Sequence, residues 1–482
     1  MNLKKSGSVV NMQKMRDLND KPLSKKDYLV VSSLLFGLFF GAGNLIFPIH
    51  LGQLAGSHWG WATVGFLLTA VLLPLLSVLA ISVTRAEGVY DIGKPLGSVF
   101  ALTFMVLIHA TIGPLFGTPR TATVPFTVGV QPLLPASWGS AGLLIFTALF
   151  FGFAFFISYR ESNIMASIGK ILNPLFLLLL FGIFLLAFSS PLGKAASATV
   201  SVAYQHDSFF NGFLQGYNTM DALAGLAFGV TVVSAVRQLG KTTPSSNAKV
   251  TARAGLLATS AIGLIYIVLI WIGATSLTVY KLSDNGGVAF NQLVTYYLGG
   301  FGHALLATLL TVTCLATAVG LVAAFAQDFH KHFAKISYRV WLGLMCLASF
   351  ITANFGLDTI IAWSTPMLMF LYPFAMVLIL LSVCSPLFKR DPHVYAFVVA
   401  FTVLPAFLDM IAAFPPVVSQ SAFGKAAAAL QHSFLPFAAL GMDWVVPALL
   451  GTILGLGYHV FAPFFSSVKA TASYKRQDEK SR

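Results

Sequence analysis

Two polar side chains stand where an apolar chain tolerates them least. Asn44 follows Gly41-Ala42-Gly43 inside an apolar run over 28–48, and Asp221 follows Gly216-Tyr217-Asn218-Thr219-Met220 inside another over 211–236. An amide or carboxylate surrounded by hydrocarbon needs a partner, and an unpaired charge there costs at least ~2.5 kcal/mol. Glycine weakens a helix and lets a backbone or a ligand come close. Freed backbone survives at membrane depth only where it faces protein or a cavity. The expected chemistry is therefore binding: the peptide groups of 41–44 meet something polar at mid-depth. Asp221, roughly 15 Å along its helix from the outer end by helical rise, needs a counter-charge, a cation, a proton or water.

Other residues could join them. Arg120 lies in Ile112-Gly113-Pro114-Leu115-Phe116-Gly117-Thr118-Pro119-Arg120, where two glycines and two prolines bend or break a helix. It either snorkels to the headgroups or lines an outer vestibule and pairs with an acid, Asp221 being at similar depth. Thr311, Thr313, Cys314 and Thr317 share one apolar run. Such hydroxyls usually bond back to their own helix. One that faced carbonyls freed near Gly37–Gly41 would add an oxygen to a cation cage. Asp409 and Asp443 also fall within or beside apolar runs, with an interfacial or capping role expected for Asp443.

The elements that must hold these groups are membrane spans. The 482-residue chain is 57% hydrophobic and 9% charged, and runs long enough to cross ~30 Å of hydrocarbon recur along it. They lie at about 28–48, 60–83, 99–130, 139–158, 166–189, 211–236, 254–279, 303–328, 338–354, 359–385, 394–414 and 439–466. The expected fold class is an all-α membrane protein of roughly twelve transmembrane helices. The first run follows a basic leader without a cleavage site, which makes it a retained helix. Of the 29 Lys and Arg, all but Arg120, Lys194, Lys281 and Lys425 fall in segments that share one side. That bias puts both termini in the cytoplasm and makes the span count even. The net charge of +13 then reflects topology and contact with anionic membrane lipids; nucleic-acid binding is not expected, because the basic residues are spread over loops. Cys314, Cys346 and Cys384 all lie inside spans, so no disulfide framework is expected. Walker, HExxH and GxSxG motifs are missing from the sequence, as are paired catalytic acids, so neither an ATPase nor another enzyme is expected.

Spans 1 and 6 repeat one theme, glycine spacing beside polar residues, five spans apart. Two such interrupted segments point to inverted repeats sharing a midplane site, with helices 1 and 6 broken. The expected organisation is a cytoplasmic segment 1–27, a first repeat 28–189, a second repeat 190–385, two C-terminal helices in 386–466 and a cytoplasmic tail 467–482.

Several motifs together resemble one family. They are Phe40-Gly41-Ala42-Gly43-Asn44-Leu45-Ile46-Phe47-Pro48, Gly113-Pro114-Leu115-Phe116 with Pro119-Arg120-Thr121-Ala122-Thr123-Val124, and Gly216-Tyr217 with Thr219-Met220-Asp221. Cys314-Leu315, Thr317-Ala318-Val319-Gly320-Leu321, Ser337-Tyr338-Arg339 and Tyr372-Pro373 add to the match. The chain resembles the bacterial branched-chain amino acid:cation symporters (BrnQ-type, or LIVCS, carriers), which by analogy have the leucine-transporter-like fold of the amino acid–polyamine–organocation superfamily. That resemblance implies a plasma-membrane importer of leucine, isoleucine and valine, driven by symport with Na+ ahead of H+ through alternating access.

By the same resemblance, N–H groups of Ala42 and Gly43 meet the substrate carboxylate, with Asn44, Tyr217 and Gly225 also at the substrate. The amide oxygen of Asn44 serves a cation, and carbonyls of Gly37 and Phe40 with Thr313 and Thr317 match a second cation site. Asp221 and Arg120 take coupling or gating roles. No cofactor is implied beyond Na+ or H+, and no other metal. The chain departs from the family pattern at Ala316, where a hydroxyl is usual, and at Pro125 and Thr127. A proton carried by Asp221 is the competing mechanism.

Overall fold

The computed structural model describes residues 23–159, 164–241 and 243–480. The N-terminal segment expected in the cytoplasm lies mostly outside them. Among the described residues no strand occurs, and eight stretches are long and apolar enough to cross a membrane. The expected spans at 28–48 and 211–236 form shorter pieces because breaks divide them, and that at 338–354 is a single shorter helix, Tyr338–Ala353.

The first break shows why. Helix α1 (Lys25–Phe39) opens on a capping box, with Ser24 Oγ accepting from the Asp27 N–H and the Asp27 carboxylate accepting from the Ser24 N–H at 2.8 Å. It stops at Phe40, and α2 (Gly43–Ala55) resumes after two further residues. Helix α3 (59–84) carries a π turn at Leu68–Leu72. Next, α4 (Ser98–Ala110) and α5 (Gly117–Pro125) flank a second break, where Gly113 leaves helical geometry at φ −92°, ψ −121°. Helices α6 (Gly139–Ser158) and α7 (Ile164–Ser189) follow.

Then α8 (Ser208–Gln215) passes through a 3-10 turn at Gly216–Thr219, and Met220 takes a left-handed conformation (φ 60°) before α9 (Asp221–Gln238) begins. Helix α10 (Pro244–Ser276) leads to α11 (Gly286–His332), which kinks at Gly299 (φ 63°). The chain ends with α12 (Tyr338–Ala353), α13 (Leu357–Cys384), α14 (Pro392–Ala413), α15 (Ala422–Phe434) and α16 (Val445–Lys480). The helix expected at 439–466 starts later, at Val445, because Phe437 and Gly441 turn the chain with φ of 65° and 62°.

One half of each of two broken helices, α1–α2 and α8–α9, docks by matched glycines. A Cβ on Gly52 would lie 2.0 Å from the Ile270 carbonyl oxygen, and one on Gly273 would lie 2.1 Å from that of Ile49. These pairs press α2 onto α10. A Cβ on Gly65 would lie 1.9 Å from the Phe209 oxygen, and one on Gly212 would lie 2.1 Å from that of Ala62. Those pairs press α8 onto α3. Only glycine allows backbones this close, so the half after the α1–α2 break and the half before the α8–α9 break are both held at fixed depth.

Candidate functional site

The breaks of α1–α2, α4–α5 and α8–α9 meet around one cavity, which α11 completes. Its wall includes Gly41, Ala42, Gly43 and Asn44, then Arg120 and Thr121, then Asn218, Thr219, Met220 and Asp221, and finally Thr317 and Leu321. Leu38, Phe39, Ile112, Ala224 and Phe228 supply an apolar part. It offers ≈ 70 Å³ to the centres of water-sized molecules, where each water needs about 10–15 Å³. The space suits several waters or a small polar group.

Asn44 organises the first break. Its Oδ1 accepts from the Gly41 N–H at 2.8 Å, and its own backbone N–H bonds to Gly41 O at 3.2 Å. In an unbroken helix those two donors would serve the carbonyls of Gly37 and Phe40. The local geometry thus draws the Gly41 N–H away from the Gly37 carbonyl, one of the two expected to serve a cation. Asn44 Nδ2 reaches Asp221 Oδ2 at 2.7 Å and also Tyr266 Oη, and the Tyr266 hydroxyl donates to the same carboxylate oxygen at 3.1 Å. Asn44, Asp221 and Tyr266 are 2%, 4% and 0% exposed, so these bonds are shielded from bulk solvent. Asp221 is also the first residue of α9, where the helix dipole favours a negative charge.

Arg120 does not snorkel. It is 3% exposed, because the break before α5 turns its side chain inward. Nor does it pair with Asp221. Its Nη1 donates to Asn218 O at 2.9 Å, its Nη2 donates to Ser364 Oγ on α13, and its guanidinium lies 5.0 Å from the Phe47 ring centroid. It ties α5 to α2, to the α8–α9 break and to α13. It lines the cavity without the acid partner expected for it.

The remaining residues divide. Thr317 lines the cavity beside Gly41: a Cβ on Gly41 would lie 3.7 Å from Thr317 Oγ1, which bonds to Thr313 O at 3.3 Å. The Thr313 hydroxyl is buried with no hydrogen-bond partner, although Thr313 is not on the cavity wall. Tyr217 faces away from the cavity and stacks on Tyr372 with ring centroids 4.2 Å apart. Gly225 also lies off the wall: it is a packing glycine, where a Cβ would lie 2.0 Å from Ser77 Oγ. Asp443 is not interfacial. It is 0% exposed and shares the Gln431 amide with Asp409, at 3.0 and 2.7 Å. Sequence reasoning missed Tyr266 and Ser364. Tyr266 is a lone hydroxyl in an aliphatic run, the same signal that marked Asn44.

Comparison with known proteins adds family and fold. Residues 24–461 match the family described as "Branched-chain amino acid transport protein". A branched-chain amino acid permease, BrnQ, from Lactobacillus delbrueckii subsp. lactis is 41% identical over 88% of this chain and 95% of its own length. The permease BraB of Bacillus subtilis is 39% identical over 90% and 95%. Among solved structures, Mhp1, a nucleobase-cation-symport-1 family transporter in a closed conformation, superposes with a TM-score of 0.56 at 12% identity, covering 90% of this chain and 93% of Mhp1.

Proposed function

The chain belongs to the branched-chain amino acid transport protein family, and we propose that it imports leucine, isoleucine and valine by cation symport, through alternating access around the cavity at its helix breaks. It is a multi-pass membrane transporter with a leucine-transporter-like fold, not an enzyme.

The observation that carries the reading is a cavity with an acid and a base that do not neutralise one another. Asp221 on one wall suits an ammonium group, while Arg120 and the N-terminal turn of α2 at Gly43 and Asn44 suit a carboxylate. Leu38, Ile112, Ala224, Phe228 and Leu321 suit a branched aliphatic tail. A small zwitterion with an apolar side chain has this pattern of charge and surface.

For the cation, Na+ ranks ahead of H+. The Gly37 carbonyl left by the Gly41 N–H, the Thr317 hydroxyl and the unpartnered Thr313 hydroxyl favour a sodium cage. The specific observation favouring H+ is the buried Asp221 carboxylate, held by Asn44 and Tyr266. The matched glycine contacts of α2 and α8 support two inverted repeats over 28–189 and 190–385. The one-sided placement of basic residues supports both termini on the cytoplasmic side of a bacterial plasma membrane.

The test is uptake of labelled leucine into proteoliposomes under imposed Na+ or H+ gradients. Gradient-dependent accumulation competed by isoleucine and valine is expected. Loss of dependence on both gradients would overturn the symport reading.

A further inference from the structure

A second pocket opens at the ends of α3, α13 and α14, on the side that carries the basic loops. It measures ≈ 350 Å³ and is lined by Arg85, Ala86, Asp91, Lys94, Pro95 and Arg390. Three cations face one carboxylate, and that carboxylate already accepts from the Glu87 N–H at 2.9 Å. Arg390 is fixed against the wall, donating to Thr84 O at 3.3 Å and Asp91 O at 2.9 Å. Capping the end of α3 accounts for Arg390. It does not account for Arg85 and Lys94, whose charges are left to repel Arg390 and each other.

The backbone adds a second, independent sign. Arg85 (φ 54°) and Arg390 (φ 59°) both occupy the left-handed region, where glycine is unstrained and a long side chain is not. Strained residues of this kind gather at ligand sites. Lys389 beside Arg390 is left-handed as well (φ 51°) but lies off the pocket wall, and Arg85 is the C-cap of α3; Arg85 and Arg390 are the two that line the pocket. Leu387 and Val99, close in sequence to Arg390 and Lys94, are 83% and 80% exposed. Apolar side chains beside basic ones at helix ends make a surface that meets acyl chains and headgroups together.

We propose that this pocket binds a phosphate group supplied by the headgroup of an anionic phospholipid. The test uses the full chain purified in detergent, with native mass spectrometry after exposure to phosphatidylglycerol, phosphatidylcholine or inorganic phosphate. The wild type should retain phosphatidylglycerol over phosphatidylcholine. The double substitution Arg85→Gln with Lys94→Gln, which leaves the Arg390 cap in place, should lower that retention roughly tenfold or more. Should the double variant fail to fold, Lys94→Gln alone carries the comparison with a smaller loss. Equal retention of phosphatidylglycerol by variant and wild type overturns the site. Inorganic phosphate that binds without lipid, and is lost in the variant, overturns the lipid as source.

Discussion

The Asn44 side-chain amide donates to the Asp221 carboxylate at 2.7 Å, joining two helix breaks that lie 177 residues apart. Each break frees backbone groups that would be intolerable in hydrocarbon, and the bond makes each one the other's polar surrounding. The cavity exists because two local defects face each other.

That bond sets the first expectation. Asn44→Ala leaves a buried carboxylate short of a donor, and Asp221→Ala takes the acceptor from the Tyr266 hydroxyl and leaves the Asn44 amide only Tyr266 Oη. A hydrogen bond to a charged group contributes ~1.5–3 kcal/mol, so each change should cut concentrative leucine uptake by at least ~10-fold while the protein still inserts. Uptake assays normalised to membrane protein level would check this. Near-normal uptake by both variants would refute the site.

Tyr266→Phe keeps the ring against Phe66, an edge contact with centroids 5.2 Å apart, and removes only the hydroxyl. Uptake should fall by roughly 10-fold or more, since one donor to the carboxylate is lost at ~1.5–3 kcal/mol. Thermal stability in detergent should change far less than for Tyr266→Ala, which also opens a cavity. Equal behaviour of the two variants would assign Tyr266 to packing alone.

Arg120 serves a carbonyl, a hydroxyl and a ring on three other segments. Lysine cannot reproduce that planar fork, so Arg120→Lys should impair uptake nearly as much as Arg120→Gln. The exchange Arg120→Asp with Asp221→Arg should rescue nothing, because the two residues are not paired. Recovery of transport in the double variant would restore the ion-pair idea.

For the cation, Thr317→Ala should raise the Na+ concentration needed for half-maximal uptake by about 10-fold if its hydroxyl is a ligand, with the leucine KM at saturating Na+ less affected. Substrate-induced currents at fixed pH, with and without Na+, measure both. Unchanged currents in Na+-free buffer would transfer the coupling to a proton on Asp221.

Gly52→Leu and Gly212→Leu should abolish folding, since even a Cβ at these positions would lie 2.0 or 2.1 Å from a carbonyl oxygen. Loss of the monodisperse species in fluorescence-detected size exclusion is the expected result. At Gly60, where a Cβ meets nothing within 4 Å, the alanine variant should behave as wild type.

Much of this was legible in the chain. Apolar length gives helices that cross a membrane, because a backbone in lipid has to satisfy its own hydrogen bonds. Glycine beside a polar residue marks where those helices break: the first break, at 40–42, falls within the marked stretch, whereas the position of the second along 211–236 came only from the structure, at 216–220. Gly225 and Tyr217 looked alike by the same criterion, yet they face neighbouring helices. A residue's type says that it is unusual in a span, but not which way it points.

The direction of each side chain was decided by packing. Asn44 reaches Asp221 because glycines on α2 and α10 allow a backbone approach that holds the first break at that depth. Arg120 turns from the headgroups to Asn218 and Ser364 because Gly113 leaves helical geometry. Tyr266 enters the site because α10 crosses beside both breaks. The local sequence determined where the chain is polar and broken, since those are properties of single segments. Which polar groups met could be settled only when distant segments packed, because a hydrogen bond needs two partners and no segment carries both.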